Sequence, residues 1–252
     1  MSRRPLLRFA LLAGLLAGPC QQAAAQQPVD LVLVLAVDSS SSVNPREFDL
    51  QMRGIAEAFR EPEVHAAIAA AGGRGVGLAL MQWAGRERQV LALDWMLVED
   101  AGDALELADQ IDATPRLVTG GSTAIADAIA YGRRLIETAP WFGARAVIDV
   151  SGDGRSNQGM APDRERDAAV DAGLVINGLA ILNEEPNLDL YYRDSVVGGP
   201  GAFVLTATDY EDFARAIRMK LVRELSGSPL VQQVLPPPQL ARRPGTEPVP
   251  TP

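Results

Sequence analysis

The sequence predicts an α/β fold: a doubly wound, mostly parallel central sheet with one antiparallel edge strand and helices on both faces. Three observations predict it. Val29 to Asp38 is a near-continuous run of β-branched and aliphatic residues, the signature of a strand buried on both faces of a parallel sheet. Strand-like and helix-like segments then alternate to about Leu225, which is the pattern of βα units. Two strand-like runs, Gly75–Trp83 and Gln89–Asp94, are separated by a polar turn short enough to make them an antiparallel hairpin.

Each element has its own signal. Asn44-Pro45-Arg46-Glu47 combines a cap residue, proline at the first helical position and a glutamate three residues after the cap, so a helix starts there. Phe48, Met52, Ile55 and Phe59 fall on one stripe of that helix and face the sheet. An Ala-rich helical stretch follows Pro62, and another helix runs from about Asp100 to Ile111. Thr123–Thr138 is predicted helical, with Ile125, Ala128, Ile129, Gly132 and Ile136 on one face. Arg145–Val150, Gly173–Leu182 and Ala202–Leu205 read as strands, and Asp209–Leu225 as a closing helix with Tyr210, Phe213, Ile217 and Val222 turned inward.

Three polar loops occupy equivalent places in this scheme. Asp38-x-Ser40-x-Ser42 follows the first strand, Thr119-Gly120-Gly121-Ser122-Thr123 opens a helix, and Ser151-Gly152-Asp153-Gly154 follows the strand ending at Val150. A parallel sheet puts all three at the carboxyl edge of its strands, where such sheets bind ligands. Their donors are all oxygens, which suits a hard cation such as Mg²⁺ better than zinc or copper. Taken alone, the serine-rich segment would serve equally as a polar turn.

Taken together, Asp38, Ser40, Ser42, Thr123 and Asp153-Gly154 resemble the metal-ion-dependent adhesion site of von Willebrand factor type A domains, in order and spacing, over about Val29 to Leu225. The resemblance implies Ser40, Ser42 and Thr123 as direct ligands of Mg²⁺ or Mn²⁺, with Asp38 and Asp153 acting largely through water. It also implies a protein partner that offers an Asp or Glu carboxylate to the metal. The chain looks similar to a little-characterised group of exported bacterial proteins of this fold, in which Ser-Gly-Asp-Gly replaces the usual Thr-Asp-Gly. That replacement inserts Gly152 and moves the preceding hydroxyl to Ser151. Asp149, an acid in an apolar strand, is expected either to hydrogen-bond near Ser151 and Asp153, whose strand parity it shares, or to sit at a partly wetted edge.

The ends read differently from the middle. Arg3, Arg4 and Arg8, the apolar stretch Leu6–Gly18 and Ala23-Ala24-Ala25 make residues 1–25 an export signal, too short to span a membrane, with Gln26 as the new amino terminus and a periplasmic or secreted destination. Cys20, the single cysteine, lies inside it, and Pro19 argues against lipidation there. Residues 226–252 are proline-rich and are expected not to fold, leaving a domain over 28–225.

Residues 1–25 hold three of the 23 basic residues and none of the 32 acidic ones, so the chain beyond them carries a net charge of −12. That acidity disfavours nucleic acid and anionic membrane as partners. Catalytic patterns are weak. His65 is the only histidine, with no Gly-x-Ser-x-Gly elbow elsewhere, and Gly120-Gly121-Ser122-Thr123 lacks the lysine of a P-loop. The expectation is a binding module rather than an enzyme. The alternatives are a structural subunit whose loops are merely ordered by the metal or hydrogen-bond one another, with Leu190, Tyr191 and Tyr192 as a binding surface or a buried stripe, and a metal-dependent hydrolase.

Overall fold

The computed structural model describes residues 26–226, so the expected export signal and almost all of the proline-rich tail lie outside the described residues. A six-stranded sheet has the order β3-β2-β1-β4-β5-β6. Its strands are β1 (Gln27–Asp38), β2 (Val76–Trp83), β3 (Gln89–Val98), β4 (Trp141–Gly152), β5 (Val175–Ile181) and β6 (Val204–Ala207). All neighbouring pairs are parallel except β2–β3, the predicted hairpin at the edge.

The helices are α1 (Pro45–Arg60), α2 (Pro62–Ala70), α3 (Ala101–Ala113), α4 (Ile125–Glu137), α5 (Pro162–Asp171), α6 (Leu188–Tyr191), which runs into a π-turn at Tyr192–Val196, and α7 (Phe213–Ser226). None of the described helices is long and apolar enough to cross a membrane.

The apolar run of β1 is explained by helices on both sides of it. Leu31, Leu33, Leu35 and Val37 join the core beneath α1, α2, α3 and α7, while Val34 and Ala36 join a second core with Ile125 and Ile129 of α4, Ala169 of α5 and Tyr192. The side chains of one strand alternate between the two cores, so neither face tolerates a solvated residue. At the start of α1 the predicted box is present: Glu47 N donates to Asn44 Oδ1 at 3.1 Å and Asn44 N to Glu47 Oε2 at 2.8 Å.

Several boundaries differ from expectation. β3 continues to Val98, which pairs with Val76 beyond a bulge in the β2–β3 ladder, and β4 begins at Trp141, which pairs with Gln27. α4 begins at Ile125, so Thr123 precedes the helix instead of starting it. α7 starts at Phe213 and includes Ser226, since Asp209–Asp212 forms a turn in which Asp212 N donates to Asp209 Oδ1. α5 has no apolar stripe and buries only Pro162 and Ala169, so periodicity gives no sign of it. In the α6 region Leu188 and Tyr192 are buried and Tyr191 is half-buried, but Leu190 faces outward.

β1 and β4 are neighbours whose onward connections lead to opposite sides of the sheet, β1 toward β2 and β4 toward β5. Such a reversal opens a crevice at the carboxyl ends of the two strands. Asp38 ends β1 and Asp153 follows β4, so both lie at this crevice.

Candidate metal-binding edge

The three loops are tied to one another pairwise. Ser42 Oγ donates to Asp153 Oδ1 at 2.7 Å, joining the loops after β1 and β4. Ser41 N donates to Gly121 O at 3.0 Å, joining the β1 loop to the one before α4. Asn157 N donates to Thr123 O at 2.9 Å and Thr123 N to Asn157 Oδ1 at 2.9 Å, closing the triangle. Gly120 and Gly121 are left-handed (φ 67° and 101°), a conformation in which glycine meets no Cβ penalty.

Within this frame the predicted residues fall as follows. Asp38 Oδ1 accepts from Ser40 N at 2.8 Å, and the Ser40 and Ser42 hydroxyls are 3.1 Å apart. Asp38, Ser40, Ser42 and Asp153 thus form one connected set. Thr123 stands on the adjoining loop, and its hydroxyl makes no hydrogen bond to a described group. Thr119 and Gly121 of that loop are exposed, yet Thr123 itself is buried. Ser151 is turned away, its hydroxyl donating to Ala36 O at 3.3 Å.

The electrostatics fit a cation. Asp38 is fully enclosed, and its Oδ2 has no hydrogen-bond partner among the described residues. Burial, then the neighbouring Asp153, pushes its carboxyl up to about 7, against the Ser40 amide and hydroxyl, which act the other way. A buried carboxylate oxygen without a donor is costly unless something positive meets it. Two carboxylates and three hydroxyls are hard oxygen donors of the type that Mg²⁺ takes. Among the described residues no three side chains from His, Cys, Asp and Glu gather into a metal-sized cluster. A cation here therefore depends on the hydroxyls.

Residues beyond the motif shape this edge. The Arg116 guanidinium donates to Ser39 Oγ (2.9 Å), Ser39 O (2.9 Å), Ser40 O (3.1 Å) and Val118 O (3.1 Å), while lying over the Phe48 ring. Gln51 Nε2 donates to Asp38 O at 3.1 Å, and Tyr210 OH to Asp153 Oδ2 at 2.9 Å. Burial and the adjacent Asp153 raise the Tyr210 hydroxyl far above its ordinary range, which keeps it a donor. None of these pairings was legible from local pattern. All except Arg116–Val118 join residues 13 or more apart in the chain, and only the inward position of Tyr210 was expected.

Asp149 corrects the sequence reading. It shares a face of β4 with Val147, which packs beneath α7, so it points into the core and neither reaches Asp153 nor meets a wetted edge. There it pairs with Lys220, whose Nζ also donates to Glu224 Oε1 at 2.6 Å; all three are buried. Asn177 Nδ2 donates to the same Glu224 oxygen at 3.0 Å. Lys220 and Glu224 are one helical turn apart, a spacing visible in the sequence that could have raised the question.

The cluster predicts a pH dependence. Asp149, pushed up to about 8 first by burial and then by Glu224, keeps its proton where the unfolded chain has lost it. The folded state then binds more protons between the ordinary carboxylate range and about pH 8, so stability should fall as pH rises through that window. Urea unfolding at pH values from about 5 to about 8 should show this slope in the wild type and a flatter one in Asp149→Asn. Equal slopes would contradict it.

Fold and loop set define a von Willebrand factor type A-like domain. The likeness to solved structures shows the same fold: proximal thread matrix protein 1 from the mussel byssus is 17% identical with a TM-score of 0.54, covering 79% of this chain and 47% of its own. A von Willebrand factor type A protein from Catenulispora acidiphila is 19% identical with a TM-score of 0.54, covering 78% and 43%. The vWF domain of the type V pili tip protein Mfa5 from Porphyromonas gingivalis is 11% identical with a TM-score of 0.53, covering 78% and 95%. The chain thus spans about half the length of the mussel protein. It belongs to the family described as protein of unknown function DUF1194, matched over residues 28–229. No curated protein matches it.

Proposed function

We propose that this chain is an exported protein-binding module, not an enzyme, in which Asp38, Ser40, Ser42, Thr123 and Asp153 hold Mg²⁺ or Mn²⁺ and a partner carboxylate docks there. The observation that carries this reading is the pairwise bonding of the three loops at the end of β1, where the buried Asp38 keeps one oxygen with no donor. When bound, the dication supplies the contact, because hydroxyl donors leave its charge poorly neutralised and an incoming carboxylate completes its octahedron. The protein's own part is positional: Arg116 and Gln51 fix the backbone of the β1 loop, and Tyr210 orients Asp153. His65 gives no support to catalysis, since its Nε2 is engaged with Phe59 O at 2.7 Å.

Structures of related fold lend support. One of the mussel protein is described as having a zinc-occupied MIDAS motif, and SpaC from Lactobacillus rhamnosus GG is described as a pilus adhesin. Export rests on residues 1–25, and mass spectrometry of the exported protein should find its amino terminus at or near Gln26.

The test is capture of envelope proteins by the exported chain. Capture should require Mg²⁺, fall at least tenfold in EDTA, and fall similarly in a Thr123→Ala variant whose circular dichroism is unchanged. Capture indifferent to EDTA and to Thr123 would place binding on another surface.

A further inference from the structure

The turn between β2 and β3 is fastened both to the Thr123 segment and to the loop after β4. Ala124 N donates to Ala84 O at 3.0 Å, and Arg86 N donates to Gln158 Oε1 at 2.8 Å. The turn is closed by Ala84 N to Arg88 O at 3.0 Å, with Glu87 at its tip in the left-handed region (φ 58°). The Arg88 stem packs on Gly121, where a Cβ would lie 3.3 Å from Arg88 Cδ, and its guanidinium donates to Thr119 O at 3.2 Å. Arg86 and Arg88 are both exposed, and among the described residues neither forms an ion pair.

Charge is distributed unevenly across this edge. On the far side, Asn183 lies within 3.5 Å of both Glu47 and Glu184, neither of which is in an ion pair among the described residues, while the nearby Arg46 and Arg155 are held by Glu211 and Glu185. On the near side Arg86 lies by Gly159 close to Asp127, with Glu87 at the tip of the turn, while Arg88 projects over the Thr119–Gly121 loop. A partner bearing carboxylates is repelled by most of this molecule and by the α1 flank in particular. The exposed Arg88 guanidinium beside the metal edge has the fork geometry that receives a carboxylate.

We propose that the β2–β3 turn is a specificity arm: Arg88, with Arg86, receives a second carboxylate from an acidic protein segment whose first carboxylate docks at the metal edge. This rests on the metal-capture reading above. The occupant is an extended acidic peptide segment running from the β1 loop toward the hairpin, away from Glu47.

Two synthetic peptides test it against the full exported chain in Mg²⁺: glycine-flanked glutamate, and the same peptide with a second glutamate two residues on. The wild type should bind the two-carboxylate peptide about two- to fivefold more tightly, an advantage that shrinks as salt is raised. In Arg86→Gln/Arg88→Gln the advantage should vanish while a separate Mg²⁺ titration is unchanged. An advantage retained by the variant, or absent in a wild type that binds Mg²⁺, overturns the inference. So does a variant that also loses Mg²⁺, because the arginines would then be loop supports. A wild type that binds no Mg²⁺ overturns the metal reading itself, and the two failures are told apart by the titration.

Discussion

Lys220→Met is expected to destabilise the folded domain by about 3–5 kcal/mol, the range seen when one partner of a buried ionic group is removed. Lys220 is wholly enclosed and touches two carboxyl groups, Asp149 and Glu224, that have no route to water. Neither Asp149 oxygen nor Glu224 Oε2 has a well-formed hydrogen bond among the described residues, so the ammonium is the chief compensation for their burial. Methionine matches the stem of lysine and fills the same space, which isolates the loss of charge from the loss of packing.

Removing all the charge together should behave differently. Asp149→Leu/Lys220→Met/Glu224→Gln keeps a partner for Asn177 and leaves no ion to desolvate, so it should recover most of the lost stability. Urea unfolding of wild type, single and triple variants decides the matter. A single variant within about 1 kcal/mol of wild type would show that the cluster is not what its geometry indicates.

The second large effect concerns Arg116. Arg116→Ala should weaken Mg²⁺ binding by about 10–100-fold although none of the five proposed ligands is substituted, the usual cost of losing a group that orients ligands. Its guanidinium meets the carbonyls of Ser39 and Ser40 and the hydroxyl of Ser39, so it fixes the backbone that carries the Ser40 hydroxyl. Lysine should not rescue it, since one ammonium cannot reproduce a planar fork on several acceptors. Calorimetric titration of Arg116→Ala and Arg116→Lys checks this, and wild-type affinity in either would remove Arg116 from the account.

What the sequence made legible was local. The β1 run, the capping box of α1, the β2–β3 hairpin and the three polar loops are each written within one short stretch of chain, so periodicity and cap chemistry reveal them. The place of Asp38, Ser40, Ser42, Thr123 and Asp153 at one sheet edge followed once those elements were arranged in parallel. What stayed hidden depends on contacts distant in sequence. Arg116 lies 77 residues from Ser39, and Tyr210 lies 57 from Asp153. Asp149 was misassigned because parity tells which residues share a face but not which helix covers it. That helix proved to be α7, bearing the one lysine of the chain.

Titration of the exported protein with Mg²⁺, wild type beside Asp38→Ala, bears most directly on the central claim. The two-carboxylate, three-hydroxyl edge predicts one site in the wild type and none in the variant, because Asp38 supplies the buried oxygen left without a donor and anchors Ser40 through its amide. Equal binding by the two proteins, or no binding by a folded wild type, would contradict it.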